Sequence, residues 1–185
     1  MDNGASSYRR YLNGDDQGIT EIVDEYKDGL ILYINGQVEN YSVAEELAEE
    51  TFYRLITRRP RFSERSSFKS WLYAIGHHVT VDYLRRRSRL HATPVEEMAE
   101  VLADGTDLER AYLQEERKIT LHRALRELAS DYRAVLWLTY FEGFSYAEAA
   151  VAMGRSERQI KNLQYRARQS LKSKLEKEGF VYEDQ

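Results

Sequence analysis

Cysteine is missing altogether from the sequence. Its absence excludes disulfides, thiolate zinc sites and a cysteine nucleophile, and it suits a reducing compartment. Proline occurs only twice, as Pro60 and Pro94, and glycine ten times in 185 residues. With so few breakers and an abundance of Leu, Ala, Glu, Arg and Tyr, the chain favours helices. It has no apolar run of about 18 residues, the length a spanning helix needs, so membrane insertion is not expected. The opening residues, MDNGASSYRRYLNGDDQG, lack the apolar core of a secretory signal, and the expected location is cytoplasmic. Residues 1–17 read as a polar, mobile lead-in. There is no Gly-rich phosphate loop, no His-Glu-x-x-His pair and no nucleophile elbow, so an enzyme reading finds little support and no cofactor is expected. His77 and His78 are neighbours that point apart on a helix, with no third ligand nearby, so no metal site is expected.

What is present is charge, at 31% of residues, with a net value of −4. That net value argues against a polyanion partner until its distribution is followed along the chain. Residues 1–50 carry 12 acids and 3 bases, whereas residues 54–91 carry 10 bases and 2 acids. Residues 92–116 carry 8 acids and 1 base, and residues 155–177 carry 8 bases and 2 acids. Two basic blocks divided by acidic ones point to two contacts with a polyanion on one chain.

Helical periodicity dominates, and no run alternates in the manner of a strand. The first predicted helix spans 19–35, with Ile19, Ile22, Val23, Tyr26, Leu30, Tyr33 and Ile34 on one face. A second opens at Ser42, which forms a capping box with Glu45, and ends before Pro60. A third, over 67–87, is capped by Ser66 or Ser67 and ends in Arg85, Arg86, Arg87 and Arg89, cations that suit the partial negative charge of a helix C-terminus. Residues 91–106 read as an acidic linker. Thr106 and Glu109 form a second capping box, for a helix over 107–129, and a further helix is expected over 131–141. The expected fold is all-α: two small helical domains, 18–90 and 107–178, joined by a flexible linker, with a tail at 179–185.

The most informative segment lies near the C-terminus. Ser145 and Glu148 form a capping box for a short helix over 146–153. Gly154 sits just past its end, where a left-handed residue is needed. Ser156 and Gln159 form another box, for a long helix over 157–177. A short helix, a tight turn and a second capped helix make a helix-turn-helix pattern. The outward face of the second helix is assigned Arg155, Arg158, Gln159, Lys161, Asn162, Gln164, Tyr165, Arg166 and Arg168, with Ser156 and Glu157 at its start. Arg and Lys can reach phosphates or guanine, and Asn and Gln can pair with adenine. A plain helical hairpin with a charged outer face is the alternative, and the near-absence of acids from this face counts against it.

The middle stretch, RRPRFSERSSFKSWLYAIGHHVTVDYLRRRSR, interleaves bases with Phe62, Phe68, Trp71, Tyr73 and Tyr83. Aromatic faces can stack on unpaired bases while Arg and Lys hold phosphates, which suits opened rather than duplex DNA. Aromatics at helical spacing are usually core, and Trp71 is assigned there. Phe62 and Phe68, which flank a polar loop, are assigned to a pocket wall.

Taken together, the two stretches resemble the extracytoplasmic-function sigma factors. AEELAEETFYRLI followed by FKSWLYAIGHHVTVDYLRRR looks like region 2, and LASDYRAVLWLTYFEGFSYAEAAVAMGRSERQIKNLQYRARQSLKSKL looks like region 4. The resemblance covers about residues 19–177. It implies that Glu46, Leu47, Glu49, Glu50, Thr51 and Phe52 lie on the helix that grips the clamp coiled coil of the largest subunit of core RNA polymerase. It implies that the loop of Phe62, Ser63, Glu64, Arg65, Ser66, Ser67 and Phe68 captures a flipped base of the −10 element, with His78 facing that base and Arg85, Arg86 and Arg87 guiding the DNA backbone. It implies that the helix from Ser156 to about Arg168 reads the −35 element, while the hydrophobic side of region 4 meets the flap of the second-largest subunit. Promoter DNA and core polymerase are thus the expected partners, and many relatives also have an anti-sigma factor. The chain departs from the family at His78, where Asn is usual, and at Glu46-Leu47-Ala48-Glu49-Glu50, where Asp-Leu-x-Gln-Glu is usual. It also departs at Leu128-Ala129-Ser130, where Leu-Pro is usual, and at Glu148-Ala149-Ala150, where Glu-Ile-Ala is usual. Two competing readings are a stand-alone helix-turn-helix regulator and a helical adaptor that binds only proteins.

Overall fold

Apolar side chains three and four residues apart give the N-terminal half its central helix. The computed structural model describes residues 3–90 and 120–177, and among them there is no strand. Helix α2 (Gln17–Val38) buries Ile22, Tyr26, Leu30, Ile34 and Val38, a ladder of every fourth residue along one face. Around it pack α1 (Asn3–Leu12), α3 (Tyr41–Arg58) and α4 (Phe68–Leu90).

Helix α1 corrects the expectation of a mobile lead-in. Tyr8 and Tyr11 lie three residues apart, on one helical face, and both are buried. Tyr8 rests against Phe68 and Trp71, with ring centroids 5.5 and 5.4 Å away. Gly18 permits the close approach of α1 to α2, since a Cβ there would lie 2.2 Å from the carbonyl oxygen of Ser7. Ser7 Oγ donates to Glu21 at 2.6 Å, and Arg10 pairs with the same carboxylate.

The start of α3 also differs from expectation. Asn40, not Ser42, is the cap, and its side chain accepts from the Val43 amide at 3.0 Å. Asn40 holds the extended conformation a cap requires, whereas Ser42 is already within the helix. Arg59 ends α3 in the left-handed region, at φ 43°, just before Pro60. Ser67 caps α4 as expected, accepting from the Ser70 amide at 3.2 Å.

In the C-terminal half, residues 120–126 form α5. The predicted start of that helix, the Thr106–Glu109 box, the linker and the tail lie outside the described residues. Helix α6 (Ser130–Leu136) runs into a widened π-turn (Trp137–Phe141), where a plain α-helix was expected. The Glu142 amide there donates to the Trp137 carbonyl, five residues back, at 3.2 Å. Helices α7 (Tyr146–Met153) and α8 (Glu157–Lys177) follow with the expected spans.

The two halves lie against each other. Helix α7 packs on α4, and α6 on α2, so that their buried residues form one continuous cluster. Tyr73 of α4 meets Phe144 at 5.3 Å between ring centroids. Polar contacts frame the seam. Lys69 Nζ lies 2.8 Å from the Glu142 carboxylate. Ser67 Oγ donates to Glu148 at 3.3 Å. Arg133 reaches across to Glu39 at 2.6 Å and to the Gln37 carbonyl at 3.0 Å.

Candidate nucleic-acid interface

The first cationic surface is the loop between α3 and α4, together with the end of α4. Ser63, Glu64 and Arg65 are exposed at its tip, and Ser66 and Ser67 are half-buried. Glu64 adopts φ 56°, a left-handed conformation that costs a non-glycine residue strain. Beneath the tip lies an aromatic floor. Phe62 is half-buried, 5.1 Å from the Trp71 ring and edge-on to Phe68 at 5.6 Å. Phe68 is fully buried and touches the rings of Tyr8, Tyr26, Phe62 and Trp71. It therefore supports the loop from the core, where the sequence placed it on a pocket wall. Of the two phenylalanines, only Phe62 keeps part of its face toward solvent.

The adjacent histidines have opposite surroundings. His78 is exposed, with Nδ1 2.6 Å from the Ala74 carbonyl oxygen. His77 is buried, its Nδ1 sharing a 2.9 Å hydrogen bond with the Tyr33 hydroxyl. Burial depresses the His77 pKa to about 4, so the ring is neutral at pH 7. Further along α4, Arg85 and Arg86 are exposed and Arg87 half-buried. Arg85 lies 3.9 Å from Asp82, and Arg86 Nε donates to the Asp82 carbonyl.

The second surface is α8. The Ser145 hydroxyl accepts from the Glu148 amide at 3.2 Å, and Glu148 returns a carboxylate to the Ser145 amide at 2.9 Å. Gly154 takes φ 62° at the end of α7. The Ser156 amide donates to Gln159 Oε1 at 2.8 Å, while the Gln159 amide donates to Ser156 Oγ at 3.2 Å. Both capping boxes expected around this turn are thus present. Ile160 and Ala167 face inward, and Arg158, Asn162, Tyr165, Arg166 and Arg168 face solvent. Arg155 pairs with Asp131, and Lys161 sits 3.2 Å from Glu157 and over the ring of Tyr146. Gln164 corrects the expected outward set: it is buried and accepts from the Tyr146 hydroxyl at 3.0 Å. Position 164 lies one turn past Ile160, on the same face, so its register already favoured the interior.

A third surface, on α3, is acidic. Glu46 and Glu49 are exposed, and Glu50 holds Arg54 at 2.7 Å. Leu47, Thr51 and Phe52 point into the core. All three are buried in the free chain and fix the helix, so the charge that this surface presents comes from the glutamates. The structure adds Tyr53 and Ile56, both exposed beside this acidic row. Their exposure follows from packing against α2 and α4, which the periodicity of α3 alone does not reveal. The sequence reading also passed over Tyr8, Tyr11 and Arg9. Two tyrosines at i and i+3 were the available signal.

Comparison with known proteins agrees with this division. Residues 22–90 match the Sigma-70 region 2 family, and residues 118–171 match the family described as Sigma-70, region 4. The ECF RNA polymerase sigma factor SigC of Mycobacterium tuberculosis (strain CDC 1551 / Oshkosh) is 37% identical over 128 residues, covering 69% of this chain and 68% of that protein. The RNA polymerase sigma factor YlaC of Bacillus subtilis (strain 168) is 28% identical over 160 residues, covering 86% of this chain and 92% of its own. Among solved structures, the sigma factor RpoE from Bartonella quintana, captured with the anti-sigma factor NepR, shares the fold. Its TM-score is 0.69 at 24% identity, over 85% of this chain and 96% of RpoE.

Proposed function

Because this chain belongs to the sigma-70 family, in its extracytoplasmic-function group, we propose that it directs transcription initiation by binding core RNA polymerase and reading a promoter at two places. The region 2 half, about 18–90, grips the polymerase clamp through α3. Glu46, Glu49 and Glu50 supply the charge, and Tyr53 and Ile56 an apolar patch beside it. The loop at 62–67 traps an unstacked base of the −10 element. A base edge can be read fully only once it leaves the stack, and the half-exposed ring of Phe62 offers a face to it. Arg85 and Arg86 hold the strand by its phosphates. The region 4 half reads the duplex −35 element with α8. Its exposed Arg158, Asn162, Arg166 and Arg168 reach base edges and phosphates from the start of a helix that can enter the major groove.

The observation that carries this reading is the pair of cationic faces, one on each family-matched half, each standing on a buried support. Neither half makes or breaks a bond in this account. An inhibitory anti-sigma partner, common in the group, belongs to the same reading. The stand-alone regulator loses its ground because both halves, not the helix-turn-helix alone, match the family.

In the free chain the halves are docked, with Lys69 and Ser67 beside the loop engaged by Glu142 and Glu148. Polymerase then acts by separating them to the spacing of the two promoter elements. Tethering two weak readers gives avidity only when their separation fits the target. Run-off transcription and footprinting, each with and without core polymerase, test this. Start-site selection and protection of both elements are expected only with core present. Strong, specific protection by the free chain would contradict the account.

A further inference from the structure

We propose that α1 is a brace for the −10 loop, with Tyr8 and Arg9 as positioning residues on which base discrimination depends. The inference rests on the reading of residues 62–67 as the base-capturing loop.

Four contacts converge from α1 on the segment 56–68. The Tyr8 hydroxyl donates to the Pro60 carbonyl at 2.8 Å. The Tyr11 hydroxyl donates to the Ile56 carbonyl at 3.1 Å. Arg9 pairs with Glu64, at the strained tip of the loop. Arg59 lies over the Tyr11 ring, 5.0 Å from its centroid. Burial raises the Tyr8 pKa to about 12, so its hydroxyl remains a donor throughout the physiological range.

These contacts hold the entrance and the tip of the loop. Its backbone is irregular, and its local closure is at its far end, where Ser67 accepts from the Ser70 amide at 3.2 Å and caps α4. Tyr8 and Tyr11 pin the entrance to the loop, Tyr8 also packs against the Phe68 and Trp71 rings that underlie it, and Arg9 holds the tip. A left-handed Glu64 persists only where its surroundings impose it, and Arg9 pairs with its carboxylate. Without α1 the loop retains its aromatic floor but loses the ties that select one conformation. A reader with several conformations discriminates poorly, because specificity requires preorganised groups.

The test uses full-length protein with core polymerase on promoters in which each −10 base is changed singly. Tyr8→Phe removes one hydroxyl and keeps the ring packed; Arg9→Ala frees Glu64. The readout is the ratio of run-off transcript from the preferred promoter to that from each altered one. Tyr8→Phe should lower this ratio roughly fivefold, the scale of one lost hydrogen bond, and Arg9→Ala roughly twofold, the scale of an exposed ion pair, with core affinity, −35 dependence and melting temperature close to those of the parent. Phe62→Ala serves as the control on the loop itself. If Phe62→Ala collapses discrimination while Tyr8→Phe and Arg9→Ala leave it intact, the loop reads the base and the brace is refuted. If the α1 variants lower only the melting temperature, α1 is purely structural and the inference again fails. If the parent shows no −10 discrimination, or Phe62→Ala leaves it unaltered, the reading of the loop falls and the brace falls with it.

Discussion

The turn that presents α8 is held by its neighbours in sequence, whereas the entrance and tip of the 59–67 loop are held by residues some fifty positions away. Ser145 with Glu148, and Ser156 with Gln159, are pairs three residues apart. Tyr8 with Pro60, and Arg9 with Glu64, are separated by 52 and 55 positions. Local closure costs little chain entropy and needs few partners, while distant closure needs the whole half to fold first. A duplex reader can be built as a rigid helix on a capped turn. A reader of opened DNA must shape an irregular loop, and here the shape comes from a buried aromatic cluster and a terminal helix.

The largest expected effect tests the distant side of this contrast. Phe68 is fully buried among four aromatic rings, so Phe68→Ala should cost about 3–5 kcal/mol. Hydrogen exchange should show α1 and the loop opening while α7 and α8 stay protected. Equal loss of protection in both halves would mean that the docked cores unfold as one unit and that the contrast is of little consequence.

Acid should act on the same half. His77 is neutral in the fold, with a pKa of about 4 against 6.5 for the free group. Tyr33, Asp131, His78 and Arg155 are the titratable and charged groups around it. Below pH 6.5 the unfolded chain binds a proton that the folded chain refuses. Stability contributed by the neutral ring is therefore complete above pH 6.5 and lost as pH falls toward 4, by an amount on the order of 3 kcal/mol. Denaturation midpoints across that window should fall for the parent and flatten in His77→Gln. Parallel curves would show that other groups set the acid limb.

The smallest effect probes the local side. Ser145→Ala removes a cap and should cost about 1 kcal/mol. Exchange should quicken at the start of α7, with the loop unaffected except through the 3.3 Å contact from Ser67 to Glu148. A broad disturbance of α1 or the loop would dissolve the distinction drawn between the two halves.

Legibility in the sequence follows the same line. The spans of α2, α4, α7 and α8 were readable to within a few residues because periodicity, caps and Gly154 act over one or two turns. Most residues of the α8 face emerged as read; Gln164 did not, since it shares the buried face of Ile160 and is bonded there to the Tyr146 hydroxyl, eighteen positions away. On α3, the family resemblance assigned Leu47, Thr51 and Phe52 to the contact set, and the structure buries all three in the free chain. The α1 helix escaped notice because ten residues with a short apolar stripe are marginal alone. Its stability comes from Tyr8 and Tyr11 packing on groups far along the chain.

What the amino-acid order determined by itself is the helical class, the capped helix-turn-helix and the two basic blocks, since each depends on propensity, spacing or charge that neighbouring residues share. Only the tertiary structure decided which side of Phe62 and Phe68 meets solvent, that the N-terminus folds onto the loop, and that the two halves dock through Lys69, Glu142, Arg133 and Glu39. Those outcomes depend on contacts between segments far apart in the chain, and local pattern carries no record of which distant surface will arrive.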